Sequence, residues 1–511
     1  MKRTKRGCAM LAGLVLMGLA SLAKAGSGLE AVPCWFVAGD DWPEHACHLM
    51  RVPEDHSLPD GRQISFPVLH IRAWQPVSGR QPLLHTGGGG PGYAMGLDDS
   101  RSVEWMLNIY AELSFARGRD LVLIDPRGVG LAQPRLACPE SVAVVWHYLD
   151  KEISNEALMG ELVAASGECK LRLQKSGIDL RQYDSLAVAH DIERLRHAMK
   201  VSRWNVYGIS YGTRYALTLA REYPASIRSL LLDSTVFPDL RYSDKEIRDG
   251  VQAFESMLRY CANNDACAIP YNKGEKLLRT LYRSLEENPL RFTITHPLSF
   301  EPQAILFDGD FLLDILFSNI YWDSFYLELG DLLKSLQHSN VDLVAPYVRK
   351  ELVELAKGSM SSGLMSATFC REEYPFVDYD KALSDKARLG YLGQWAAWPV
   401  EFGQRECENW ALAPSAPIEG QPIVTAIPTL LLHGEMDPVL PVADLDAQML
   451  HFSRAAYLVF PQVAHDVIGS SACAELEAAD FIDQPMLVLD EEVLGRQCPE
   501  AWAGAKQGLA Q

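Results

Sequence analysis

The sequence predicts an α/β fold: a mostly parallel sheet with helices on both faces and a helical cap inserted late in the chain. Three observations carry this expectation. Short apolar runs end in turn residues, helical patterns lie between them, and one long helical stretch interrupts the alternation. The runs fall at 62–74, 82–85, 120–124, 204–209, 229–232, 428–433 and 456–460. Each is apolar throughout or alternates, and each leads into Gly, Pro or Asp, as strands feeding loops do. Between them, Leu186, Ala189, Ile192, Leu195, Ala198 and Met199 share one face of a helix over 185–199, and another helix follows over 213–222. Strands alternating with helices imply a parallel sheet covered on both sides.

The alternation stops near Pro238. From Tyr242 to about Ala416 the text is helical, in "KEIRDGVQAFESMLRYC", "NKGEKLLRTLYRSLEEN", "GDFLLDILFSNIYW", "LELGDLLKSLQ" and "YVRKELVELAK". Strand signals resume at "AIPTLLLHGEMDP". A helical block between two α/β stretches reads as a cap over the end of the sheet. The expected organisation is therefore a signal peptide at 1–25, a core in two parts at 26–237 and 421–511, and a cap at 238–420. A disulfide tethers the tail of the second core part.

The first 25 residues have the layout of an export signal. Lys2, Arg3, Lys5 and Arg6 precede an apolar run from Cys8 to Leu22, and Ala23-Lys24-Ala25 supplies a small-x-small cleavage pattern. The run is shorter than the ~20 residues a membrane span needs. Its removal takes five basic residues and no acidic one, moving the formal net charge from −19 to −24. Such a surface repels nucleic acid and anionic membranes and attracts cationic ligands, of which a free peptide N-terminus is one. The expected destination is the periplasm or the extracellular medium. Ten cysteines remain, an even number that suits disulfides in an exported chain. Their spacing suggests sequential pairs, Cys34/Cys47, Cys138/Cys169, Cys261/Cys267, Cys370/Cys407 and Cys473/Cys498, although spacing does not fix connectivity. The sequence has no C-x-x-C or H-x-x-x-H cluster that would point to zinc.

The chemistry sits in "WNVYGISYGTRYALTLAREYP", residues 204–224. Ser210 stands between Gly208 and Gly212 where a strand turns at once into a helix. A G-x-S-x-G match alone is common, but this context lifts a serine hydroxyl above the sheet edge, and the helix N-terminus favours developing negative charge there. A hydroxyl needs a base. "TLLLHGEMDPVLP" offers Asp437 just past one strand, and "YLVFPQVAHDVIGSSAC" offers His465 past the next. The order Ser210…Asp437…His465 is that of the α/β-hydrolase fold. Glu435 and Asp466 are the nearest rivals for the acid, and His433 reads as a strand-closing residue. "HTGGGGPGYAMG" exposes backbone N–H groups that can point at one oxygen, so Gly89 and Gly90, with Tyr211, are the candidate oxyanion hole. No Lys-Ser/Thr follows to make it a phosphate loop.

With these pieces in place the chain resembles the α/β-hydrolase exopeptidases typified by prolyl aminopeptidase and the secreted tripeptidyl aminopeptidases. "GGGGPG" is similar to that family's H-G-G-P-G loop, with Gly88 in place of the histidine, and "LVLIDPRGVGLA" to its D-x-R-G-x-G-x-S element, with Ala132 for serine. The stretch from "YDSLAVAHDIERLRHAM" to "LLLDST" and the later "IPTLLLHGEMDPVLP…AHDVIGSSACAELEAADFI" also match in character. The resemblance covers about 62–237 and 425–485. It implies that Asp125 and Arg127 brace the oxyanion loop. It also implies that acidic cap residues hold the substrate's ammonium, and "ATFCREEYPF" nominates Glu372 and Glu373 as substrate-binding, with the acidic residue of "CENW" (407–410) as a lesser candidate. The implied activity is that of an exported serine exopeptidase acting at the free N-terminus of peptides, with no metal or organic cofactor. It would release short peptides or amino acids through an acyl-enzyme. An esterase or lipase using the same three residues is the alternative, and a non-enzymatic binding protein on a hydrolase scaffold is a more remote one.

Overall fold

The computed structural model describes residues 28–503 apart from 266, 268, 270 and 491; the expected signal peptide lies outside the described residues. Twelve strands are found among them. They are β1 (Leu29–Val32), β2 (His45–Pro53), β3 (Gln63–Ile71), β4 (Leu83–His85), β5 (Leu121–Ile124), β6 (Trp204–Ile209), β7 (Ile227–Asp233), β8 (Leu290–Thr295), β9 (Pro302–Phe307), β10 (Thr429–Gly434), β11 (Ala455–Phe460) and β12 (Trp502–Ala503). Ten of them form one sheet in the order β1-β2-β3-β5-β4-β6-β7-β10-β11-β12. The six strands from β5 to β11 in that order pair in parallel; β1, β2, β3 and β12 add antiparallel margins. The burial of the parallel strands follows from their sequence. "LVLI" in β5 is buried at every position because Leu121 and Leu123 face one hydrophobic core while Val122 and Ile124 face the other. Runs of this kind belong in a sheet covered on both sides.

Between β7 and β10 lies a mostly helical region. It also contains a hairpin of β8 and β9, in a stretch whose text reads as helical. Helices from outside this region pack on it. Helices Pro139–Tyr148 and Asn155–Lys175 follow β5, and the second packs against the last cap helix, Gly390–Trp410. Ser166 hydrogen-bonds Glu406, Trp410 Nε1 donates to Ser166 Oγ at 2.8 Å, and Arg405 pairs with Glu156 at 2.7 Å. All five cysteine pairs suggested by spacing are joined. No described helix is long and apolar enough to cross a membrane.

Candidate active site

Ser210 caps the helix Tyr211–Glu222 directly after β6, at φ 52° and ψ −126°. A non-glycine residue at positive φ is strained, and the surroundings must enforce it. They do. Ser210 N donates to Asp233 O at 2.9 Å, while Ser210 O accepts from Thr213 N at 2.9 Å and Thr213 Oγ1 at 2.5 Å. The flanking glycines are required by contact. A Cβ on Gly208 would lie 2.7 Å from the Gly212 backbone, and one on Gly212 would lie 2.0 Å from Gly87 O. The turn is therefore packed against the glycine loop on its other side, where Gly87, Gly89 and Gly90 all hold positive φ. Gly90, Ser210 and Tyr211 open onto one cavity of about 340 Å³.

His465 follows β11, and its Nδ1 lies 2.8 Å from Asp437 Oδ2. The other Asp437 oxygen accepts from Val439 N and Leu440 N, both at 3.0 Å. Burial alone would raise the Asp437 pKa, but the charge and hydrogen bond of His465 and these two N–H groups hold it below the usual carboxylate range. Burial likewise works against a charged imidazole, yet Asp437, helped by Asp233 and Asp466, leaves His465 above its ordinary value. The imidazole is thus built to accept a proton at Nε2 and to have its cation stabilised. The ring of Tyr321 stands edge-on to it at 5.2 Å, and Tyr321 O accepts from His465 N.

The rival residues have other work. Asp466 caps the short helix after His465, Glu435 is exposed, and His433 is buried, accepts from Thr235 N at 3.2 Å and is lowered to about 4 by burial. Asp233 is a participant that the sequence does not announce. Its carboxylate accepts from Val467 N at 3.0 Å and Ile468 N at 2.9 Å, so the end of the strand beside Ser210 anchors the loop that carries His465. Burial and the neighbouring Asp466 push Asp233 up to about 7. A strand-ending Asp in "LLLDST" gives no signal to separate it from a turn residue.

Asp125 reaches the segment after the glycine loop, accepting from Met95 N at 2.8 Å. Arg127 does not. Its guanidinium is buried on Asp191 at 2.6 and 2.7 Å and on the carbonyls of Glu54 and Gln182, so it ties β5 to the helix Ser185–Ala198. The sequence places both in one element, but three residues past the strand the chain has already turned away from the loop.

Both acidic residues nominated in the cap line the cavity. Glu372 is 1% exposed and has its oxygens engaged by Ser185 N at 2.6 Å, Ser185 Oγ at 2.8 Å, Tyr211 Oη at 3.0 Å and Arg214 Nε at 2.8 Å. Glu373 accepts from Ser243 N at 3.0 Å, and burial raises its pKa. Glu408, the acidic residue of "CENW", bonds Gln404 on the exposed side of its helix and does not line the cavity. Two further carboxylates face the cavity from the first turn of helix Glu246–Asn263. Burial and Glu373 push Glu246 up to about 7, and burial pushes Asp249 up to about 6. Glu246 is only half-buried by area although protein walls surround it, because the solvent that reaches it is that of the cavity. First-turn acidic residues ordinarily serve the helix dipole, and that reading hides these two in the sequence.

Comparison with known proteins agrees with this fold. Residues 83–288 match the family described as alpha/beta hydrolase fold, and residues 398–492 match the one described as TAP-like protein. The chain is similar to serine protease Hip1 of Mycobacterium tuberculosis, 24% identical over 458 residues that cover 85% of each protein. It is 22% identical over 430 residues to tripeptidyl aminopeptidase of Streptomyces lividans, covering 79% of this chain and 76% of that one. A shorter likeness, 28% over 233 residues, joins it to carboxylesterase B of Mycobacterium tuberculosis and covers 44% of this chain and 43% of that one.

Proposed function

We propose that this chain, an α/β hydrolase by fold, is an exported serine exopeptidase that removes short peptides or amino acids from the free N-terminus of peptide substrates. In this reading Ser210 attacks the scissile carbonyl while His465 takes its proton and passes it to the leaving amine. Asp437 holds the imidazole in the required tautomer and stabilises its cation. The N–H of Tyr211 and those of the Gly89–Gly90 turn receive the oxyanion. Water then repeats the sequence on the acyl-enzyme.

The observation that carries the reading is the wall of the cavity that holds Ser210. Glu246, Asp249 and Glu373 face it together, with pKa values raised by burial and by neighbouring carboxylates. Arg214, the cation among the described lining residues, is paired with Glu372. An ammonium group entering this space relieves carboxylate repulsion, and an uncharged N-terminus does not. Glu246 and Glu373 are therefore the groups assigned to the ammonium. Glu372 acts from beneath, holding Tyr211 and Arg214. The similarity to a protein named tripeptidyl aminopeptidase supports a peptide substrate, and the export-signal layout of the first 25 residues supports a destination outside the cytoplasm.

Hydrolysis of matched chromogenic peptide anilides with free and acetylated N-termini tests this, with Ser210→Ala as control. Cleavage confined to the free amines and lost in the variant is the expected result. Equal turnover of acetylated anilides would overturn the aminopeptidase reading and leave a general serine hydrolase, and activity on simple esters alone would favour an esterase.

A further inference from the structure

A second cavity, of about 530 Å³, adjoins the one at Ser210. The two share Glu246, Gly250 and Phe317 as lining, so the carboxylate assigned to the ammonium stands on their common wall. Most of the second cavity is apolar: Leu162, Phe311, Phe317, Trp395 and Trp398 face it from three separate parts of the chain. Its polar wall carries Asp308, Asp310 and Asp314, and among the described residues no ion pair joins any of the three to a cation.

The three carboxylates are not equivalent. Asp308 caps its helix by accepting from Phe311 N at 2.8 Å, and Asp310 accepts from Asn155 Nδ2 at 2.6 Å and Tyr282 Oη at 3.1 Å. Among the described residues Asp314 takes one hydrogen bond, from Trp395 Nε1 to Oδ1 at 2.7 Å, and the residue stands open to the solvent of the cavity. The surrounding protein, with Asp310 and Asp308 nearby, pushes it up to about 7. Lys151 also lines this space, but it is exposed at the rim, over the Tyr148 ring and against His147.

We propose that the second cavity receives the side chain of the substrate's N-terminal residue and selects lysine or arginine there, with Asp314 as the counter-ion. This rests on the reading that the α-ammonium is held at Glu246. The first side chain of the peptide then departs from the point where the two cavities meet. A basic side chain has the two properties that the walls ask for. Its methylene stem packs on Leu162 and Phe317, and its charged head reaches a carboxylate next to an indole, where both ion pairing and cation–π attraction act. A norleucine side chain of the same stem length gains only the first of these.

The test is a set of free-amine peptide anilides that differ only in the N-terminal residue, lysine or norleucine, plus the acetylated norleucine compound. The readout is the lysine-to-norleucine ratio of kcat/KM, which does not depend on how much of a preparation is folded. A ratio of about ten or more is expected for the parent protein, in line with a hydrogen-bonded charge pair. Asp314→Asn retains an acceptor for Trp395 Nε1 and should bring the ratio to within about twofold of one. A parent ratio near one, or a ratio unchanged in Asp314→Asn, overturns the selection of a basic residue. If the acetylated compound turns over as fast as its free counterpart, the ammonium reading itself has failed and this inference falls with it. Discrimination against the acetylated compound without lysine preference removes the inference alone.

Discussion

Replacing Gly212 by alanine should disable the enzyme through the glycine loop, the proposed oxyanion hole, without touching a reacting group. The new Cβ would lie 2.0 Å from Gly87 O and 2.8 Å from Gly87 C, and real Cβ contacts essentially never fall below 3.0 Å. The helix start and the glycine loop must separate by about 1 Å before the carbonyl contact becomes tolerable. Little else can absorb that shift, since Gly212 O accepts from Thr86 Oγ1 at 2.8 Å and Gly87 O accepts from Ile209 N. A displacement of about 1 Å near an oxyanion hole costs on the order of 10²-fold in kcat, and losing a donor outright costs about 10²–10³-fold. The stability loss expected of an overpacked site is about 1–3 kcal/mol. The assay is kcat per active site on a free-amine anilide, with sites counted by an irreversible serine reagent and unfolding followed by heat. Gly160→Ala is the matched control. Gly160 lies inside the helix Asn155–Lys175, has no positive φ, and leaves at least 4 Å of open space around the point an added Cβ would occupy. Activity should therefore be retained there and stability slightly raised. A folded Gly212→Ala protein with parental kcat would refute the claim that the turn and the loop are held in register by this contact.

Asp437→Asn should lower kcat/KM by about 10⁴-fold while leaving the fold intact, because the imidazole loses both its tautomer and the partner for its cation; near-parental activity would assign the acid elsewhere. Since Asp437 holds the His465 pKa above its usual 6.5, kcat/KM of the free enzyme should fall as pH drops through a midpoint higher than 6.5, and a midpoint below that value would contradict the environment described. Glu246 adds a binding effect to the same limb. Raised to about 7, it loses its charge as pH falls through that value, so KM for free-amine substrates should climb on the acid side. Glu246→Gln should raise KM about 10–100-fold at about pH 8 and flatten that climb; unchanged KM would move the ammonium to another group.

Much of this site is legible in the sequence because its chemistry is tied to strand ends. Ser210, Asp437 and His465 each follow an apolar run that reads as a buried strand, and glycines mark where backbone must approach backbone. Other features leave weaker traces. "HACHLMRVP" in β2 mixes histidine, cysteine and arginine into a margin strand, where one face is half-buried and the pattern blurs. Helices 139–148 and 155–175 lie in a stretch that the alternation of strands and helices does not single out, and the short hairpin 290–307 sits amid helical text. Glu246 and Asp249 are ordinary in sequence. Only the packing of the cap over Ser210 turns a helix's first charged turn into a cavity wall, and the second cavity needs three distant segments to exist at all.

The most direct test follows one peptide of about twelve residues by mass spectrometry, with its N-terminus either free or acetylated. The free peptide is expected to shorten only from its N-terminus, by successive short fragments, and the acetylated peptide to persist. Internal cleavage, or digestion of the two at the same rate, would contradict the aminopeptidase reading.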